Sequence, residues 1–374
     1  MPNHHEFWWR FFPKKELYQI YLSVALRSFA ISLISIFIPI YLYQEKGFTF
    51  EQTLFFFILY SAAFGICTPL AAKFGSRYGI RHAVLAGIPL YVLFVAAIYF
   101  LPPTSWLLIL GSICLGSSQA FYWMGMHQAF HHASHKHHRG EEVGTRSSVT
   151  VLSTMVGPFI GGSLITWFGF NIVFSLAAAI LFTSGFLLLL RRENHTPYHF
   201  SLKSVLDTKN WKDSLFFVSR GTHIIADGVL WPLFIFFIVG SYFSMGIVGS
   251  LMSLSSVVLF WIIGRYSDHS NRRTIIRITS LLDSGLWILL TFVHTAAQVF
   301  GITILTSAVR AAHESPTGAL EYDKARKQVA VYFVNREIFI CLGRILMLVL
   351  VLITNSITGG FIVQAVANFA SFLF

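Results

Sequence analysis

Charge is the scarce ingredient of this chain. Asp, Glu, Lys and Arg make up 11% of its 374 residues, against about 25% in soluble domains. With 55% hydrophobic residues and a mean hydropathy of +0.66, too little polar surface exists to coat a fold in water, and the expected solvent is a bilayer. Cysteine is scarce too. Cys67, Cys114 and Cys341 lie far apart inside apolar runs, which excludes a disulfide framework and a cysteine metal cluster. There is no Gly-Lys dipeptide, hence no phosphate-binding P-loop. His313-Glu314-Ser315 is followed by Pro316 and Thr317, so the zinc-protease pattern H-E-x-x-H fails. No G-x-S-x-G occurs. Neither an enzyme nor a cofactor is expected. The first residues lack the short apolar core of a cleavable leader. Their aromatics, mixed with Arg10, Lys14 and Lys15, read as an interfacial segment.

Long apolar runs are what the chain has in quantity. A helix crosses the hydrocarbon core with roughly 20 residues. Runs of that kind fall near 18–43, 51–73, 82–101, 105–130, 147–168, 170–190, 215–239, 244–263, 274–293, 297–312, 329–353 and 357–374. Arg27, Arg220 and Arg344 lie within spans and Lys46 in the first loop. The other basic residues sit at the amino end, or in and beside the loops after even-numbered spans. That asymmetry predicts both termini on the cytoplasmic side of the cell membrane. It also turns the net charge of +11 toward anionic lipid headgroups rather than nucleic acid.

The largest polar stretch, 191–213, divides the chain into bundles at 1–190 and 214–374. The two halves repeat. Arg27 precedes Pro39 by 12 residues, and Arg220 precedes Pro232 by 12. The basic turn "AKFGSRYGIR" at 72–81 aligns with "GRYSDHSNRR" at 264–273. Arg146 aligns with Arg336. A near-constant offset across three regions points to duplication, and repeats of six spans share one orientation in the membrane.

This arrangement resembles the major facilitator superfamily. The turn pattern of that family is Gly-x-x-x-Asp-(Arg/Lys)-x-Gly-(Arg/Lys)-(Arg/Lys). The second turn matches through Gly264, Asp268, Arg272 and Arg273, with His269 and Asn271 as departures. The first keeps Arg77, Gly79 and Arg81, but has Ala72, Ser76 and Ile80 where glycine, aspartate and a basic residue are expected. The resemblance implies an all-α membrane protein of twelve helices in two pseudo-symmetric six-helix bundles. It implies that the turns lock the outward-facing state. Asp268 is placed to accept hydrogen bonds from arginines or from a helix amino end. "GPFIGG" at 157–162 resembles a fifth-span motif of proton-coupled drug antiporters. Physically, Gly157, Gly161 and Gly162 allow close helix contact and Pro158 bends the helix.

In the resembling fold, helices one, four, seven and ten line the cavity. An ionised group at a helix centre costs about 2.5–3.5 kcal/mol on insertion scales, so charges there need partners or water. The substrate and proton path is expected to run past Arg27, then Gln119, Tyr122, Trp123 and His127, then Arg220, His223 and Asp227, with Arg310 from helix ten. Asp227 is read as the one acid near the middle of a cavity helix and as the coupling carboxylate, with Arg220 or Arg27 as its partner. Asp283 and Arg344 are weaker candidates. Glu337 is expected to replace the missing aspartate of the first turn by pairing with Arg77 or Arg81. His127, His131 and His135 share a helical face. They read as a solvated basic loop rather than a metal site.

The leading expectation is a monomeric secondary transporter moving a small molecule with protons, first as an efflux antiporter. An uptake symporter or uniporter for a polar or anionic solute is the alternative. From another class, a non-transporting receptor or scaffold would keep the fold but has little reason to tolerate the membrane charges.

Overall fold

In the computed structural model, residues 15–101, 106–134, 138–188, 198, 210–325 and 329–374 are described. They form twelve successive helical stretches, with no strand among the described residues. These are α1 (Lys15–Ser32, continued by short turns to Glu45), α2 (Phe50–Tyr78), α3 (Ile80–Tyr99), α4 (Leu107–Ala133), α5 (Arg139–Met155, continued by Gly157–Phe168) and α6 (Phe170–Leu188). The second set is α7 (Trp211–Ile225, a π turn Ala226–Leu230, then Trp231–Val239), α8 (Tyr242–Asp268), α9 (Arg272–Leu290), α10 (Ala296–Ala325), α11 (Val329–Thr354) and α12 (Ile357–Ala367, ending in the turn Asn368–Phe372). Eight of them are long and apolar enough to cross a membrane, and Phe170–Ser184 and Ile357–Phe372 are shorter apolar helices. The remaining two are α9, which carries the buried Asp283, and α10, which carries Arg310, Glu314 and the buried Glu321.

The outer faces bear large apolar side chains, among them Ile66, Leu70, Leu93, Trp167, Phe182, Leu254, Leu305, Leu346 and Ile353, all exposed. In water this surface would aggregate; in a bilayer it is the lipid contact. Polar caps mark the helix starts. Thr49 and Gln52 form a reciprocal capping box on α2, and the Asn271 side chain accepts the amides of Arg273 and Thr274 at the start of α9.

The two prolines of the sequence repeat sit in matching places. Pro39 follows a 3₁₀ turn at Ser35–Phe37, and Pro232 follows the π turn Ala226–Leu230. A proline cannot donate to the carbonyl four residues back and its ring crowds that position, so both helices are locally rewound just ahead of it. Asp227 lies inside the rewound turn of α7.

The aligned turns, by contrast, differ in backbone. Gly79 has φ +104° between α2 and α3, a conformation that glycine adopts freely. Asn271 has φ −72°, which any residue adopts, and it serves as a helix cap instead. The departure from the family glycine is thereby explained.

Candidate functional site

Helices α1, α4, α5, α7 and α8 line a cavity of about 580 Å³, which Glu314 of α10 also reaches. On α1 its wall is Val24, Arg27, Ser28 and Ile31, one helical face by their spacing of three and four. Trp123, Met126, Trp231, Ile235, Met252 and Phe260 make most of the wall apolar. Four charged residues reach it: Arg27, Arg146, Asp227 and Glu314.

Of the residues expected along the path, Arg27, Gln119, Tyr122, Trp123 and Asp227 line this cavity. Arg220, His223 and Arg310 line a neighbouring cavity of about 90 Å³ instead, together with Asp283, His313 and Asn368. Glu314 borders both. Thr303 and Thr306 turn their hydroxyls back to carbonyls of α10.

The charge partners differ from those expected. Asp227 pairs with Arg310 of α10, not with Arg220 two turns away on its own helix or with Arg27. Nor is Asp227 the only acid in the middle of the fold. Nη2 of Arg220 donates to both oxygens of Glu314, at 2.9 and 2.8 Å, and Nε of Arg220 lies 3.6 Å from Glu321. Glu321 also accepts from Arg336 Nε at 2.9 Å. Glu314 and Glu321 escaped sequence reasoning because charge ended the tenth apolar run at 312, whereas α10 continues to Ala325. The spacing of seven from Glu314 to Glu321 on one face was the available signal.

Asp283 is more than a weak candidate. It is buried, accepts from Trp287 Nε1 at 2.9 Å and from Asn368 Nδ2 at 2.8 Å, and lies 3.4 Å from His223 and 3.7 Å from Arg310. Arg344 donates to Tyr60 Oη at 3.0 Å, which ties α11 to α2.

Glu337 makes no ion pair with Arg77 among the described residues. It faces inward, pairs with Arg336, and its Oε1 lies 3.3 Å from His127 Nε2. Glu337 is buried on α11 and points at His127 of α4. Arg77 stands over the Tyr78 ring instead. His127 is likewise not part of a solvated loop. It is 3% exposed, bonds through Nδ1 to Tyr322 Oη at 2.9 Å, and stacks on Phe333 with ring centroids 4.2 Å apart. Helix α4 runs to Ala133, longer than its apolar run. His135 lies outside the described residues.

At the end of the fold that carries the basic turns, Asp268 accepts the backbone amides of Gly140 and Glu141, both at 2.8 Å. These are otherwise orphan donors in the first turn of α5. Asp268 also accepts from Arg272 Nη2 at 2.6 Å. Arg272 pairs in addition with Asp323, which takes a second bond from Arg139 at 2.9 Å. Gly264 approaches Gly140 and Gly144 so closely that a side chain on it would meet backbone at 2.8–3.0 Å. Arg273 contributes its backbone amide to the Asn271 cap. Arg81 has a partner of its own.

The fifth-span motif is a packing device in this structure. A Cβ on Gly157 would strike Ser32, one on Gly161 would strike Leu33, and one on Gly162 would meet the Tyr242 carbonyl oxygen. Pro158 packs on Gly246 and Gly249 and also lines the large cavity. At the end opposite the basic turns, Tyr242 donates to Glu45 at 2.6 Å and Tyr43 meets Phe237 edge-on at 5.5 Å. The two sets of helices thus touch on both sides of the cavity.

A helical bundle with an apolar outer face thus surrounds a cavity that four charged residues reach, with contacts between the two sets of helices above and below it. The sequence profile of the Major Facilitator Superfamily matches residues 20–348, and the chain belongs to that superfamily as a multi-pass secondary transporter of small molecules. It is 23% identical over 322 residues to the multi-drug resistance efflux pump PmrA homolog of Lactococcus lactis, covering 79% of each chain. To the multidrug resistance protein MdtG of Klebsiella pneumoniae it is 25% identical over 316 residues, covering 79% of this chain and 76% of the relative. Its fold superimposes on the human organic anion transporter MFSD10 with a TM-score of 0.70 at 11% identity, covering 95% of this chain and 97% of the other. That likeness concerns fold alone.

Proposed function

We propose that this transporter is a proton-coupled exporter of amphipathic compounds, working as a monomer in the cell membrane with both termini cytoplasmic. The observation that carries the reading is the state of the two cavity carboxylates. Asp227 and Glu314 each border the large cavity, and each is held by an arginine from the adjoining small one. Proton binding to either acid removes the charge that retains its arginine, so protonation and helix rearrangement are coupled through one contact. The apolar and aromatic wall suits a cargo with a large nonpolar body. The names of the relatives, multidrug efflux pumps, agree with export.

In this reading 1–190 and 214–374 move as two bundles joined by 191–213, and the Asp268 turn holds the cytoplasmic end shut. Cysteine labels at Lys46 and Asn194 then react from opposite faces of the membrane. Proteoliposomes supply the functional test. Under antiport, an amphipathic fluorescent compound accumulates in vesicles with an acid lumen. Accumulation with an acid exterior would instead mean symport, and indifference to the pH gradient would remove proton coupling.

A further inference from the structure

The charges on the large cavity are not distributed evenly between its walls. Asp227 and Glu314, on the α7 and α10 side, are both already bonded to arginines. Arg27 and Arg146, on the α1 and α5 side, meet no carboxylate among the described residues. Arg146 donates to the Tyr322 hydroxyl at 2.9 Å. Arg27 is 8% exposed, and its guanidinium carbon stands 3.5 Å from the centre of the Tyr122 ring, with the Tyr91 ring at 5.9 Å. A ring face attracts a cation but accepts none of the five N–H donors in the way an oxygen does. A buried guanidinium without an acid is costly to keep, and this one faces a cavity large enough for a small organic molecule. Next to it, Ser28, Gln119 and Trp123 offer hydrogen-bonding groups and an aromatic face.

We infer that Arg27 anchors the acidic group of an amphipathic organic anion, a carboxylate or sulfonate, whose apolar body lies against Trp123, Met126 and Trp231. The planar fork of the guanidinium matches such a group through two parallel hydrogen bonds. Tyr122 holds the fork flat from behind. The acids deeper in the α7 to α11 region outnumber the arginines there, so the anionic end belongs on the α1 wall and the apolar body spans toward α7. This inference rests on the export reading only in taking the large cavity as the cargo site.

The test is equilibrium binding with the purified full chain in detergent, without any gradient. Three probes share one fluorophore: dansylglycine (anionic), dansylamide (neutral) and dansylcadaverine (cationic). Energy transfer from cavity tryptophans reports occupancy. The wild type is expected to bind dansylglycine at least tenfold more tightly than the other two. Arg27→Gln is expected to abolish that preference while leaving dansylamide affinity within twofold, and Arg27→Lys to retain part of it. A wild type that ranks dansylcadaverine or dansylamide equal to or above dansylglycine overturns the inference, as does an undiminished preference in Arg27→Gln. If Arg27→Gln does not fold, the wild-type ranking and Arg146→Gln decide, the latter expected to weaken the preference severalfold. Because no gradient enters the measurement, proton-driven export can fail while the anion preference stands. Gradient-driven export of the cationic probe alone would leave export intact and sink the anion site.

Discussion

A single nitrogen of Arg220 is shared by both carboxylate oxygens of Glu314, at 2.9 and 2.8 Å, on the thin wall between two cavities. Glu314 is open to the large cavity, whereas Arg220 is nearly enclosed, so water and protons reach the acid before the base. Glu314→Gln is expected to abolish accumulation driven by a pH gradient. It should also destabilise the protein by about 1–3 kcal/mol, because a largely enclosed cation loses its main partner. Glu321, 3.6 Å from Arg220, limits the loss. Thermal unfolding in detergent and vesicle uptake check the two halves of the statement, and full gradient-driven uptake by the variant would exclude Glu314 from coupling.

Asp227→Asn is expected to fold and to bind cargo normally. Arg310 keeps Asp283 at 3.7 Å and the Trp287 ring at 4.9 Å, so it is not stranded. Exchange of cargo across vesicles without a gradient should continue, while uphill accumulation falls at least tenfold. A purely structural Asp227–Arg310 pair would give the opposite result: poor folding, improved by also replacing Arg310 with Gln.

Asp268→Asn removes the charge that caps α5 and holds Arg272. A cap and its ion pair contribute about 1–2 kcal/mol, which is roughly a 5–30-fold shift in an opening equilibrium. In a background with Cys67, Cys114 and Cys341 replaced by Ser, a cysteine at Ser147, on the cavity wall near this end, should react faster by that factor with an impermeant maleimide added from the basic side. Unchanged labelling would mean that the turn does not hold this end shut.

Glu337→Gln and Arg77→Gln are expected to act independently. Glu337 is bonded to Arg336 and faces His127, and Arg77 stands over Tyr78, so the two share no partner. Their effects on thermal stability should add within about 0.3–0.5 kcal/mol. A double mutant no worse than either single would restore the pair that the bare sequence suggested.

The apolar helices, and most of their extents, were legible from residue order. Hydropathy acts segment by segment, so a local reading recovers them. Cavity lining by Arg27, Gln119, Tyr122, Trp123 and Asp227 was also readable, because helical faces follow from spacing once the fold is known. Only the tertiary structure decided who neutralises whom. Asp227 found Arg310, Arg220 found Glu314 and Glu337 turned to His127, since partners on different helices are chosen by how those helices are rotated and packed. The same packing explains why Glu314 and Glu321 were overlooked. A hydropathy window reads a charge as the end of a span, but an arginine delivered by a neighbouring helix cancels that charge and lets α10 continue.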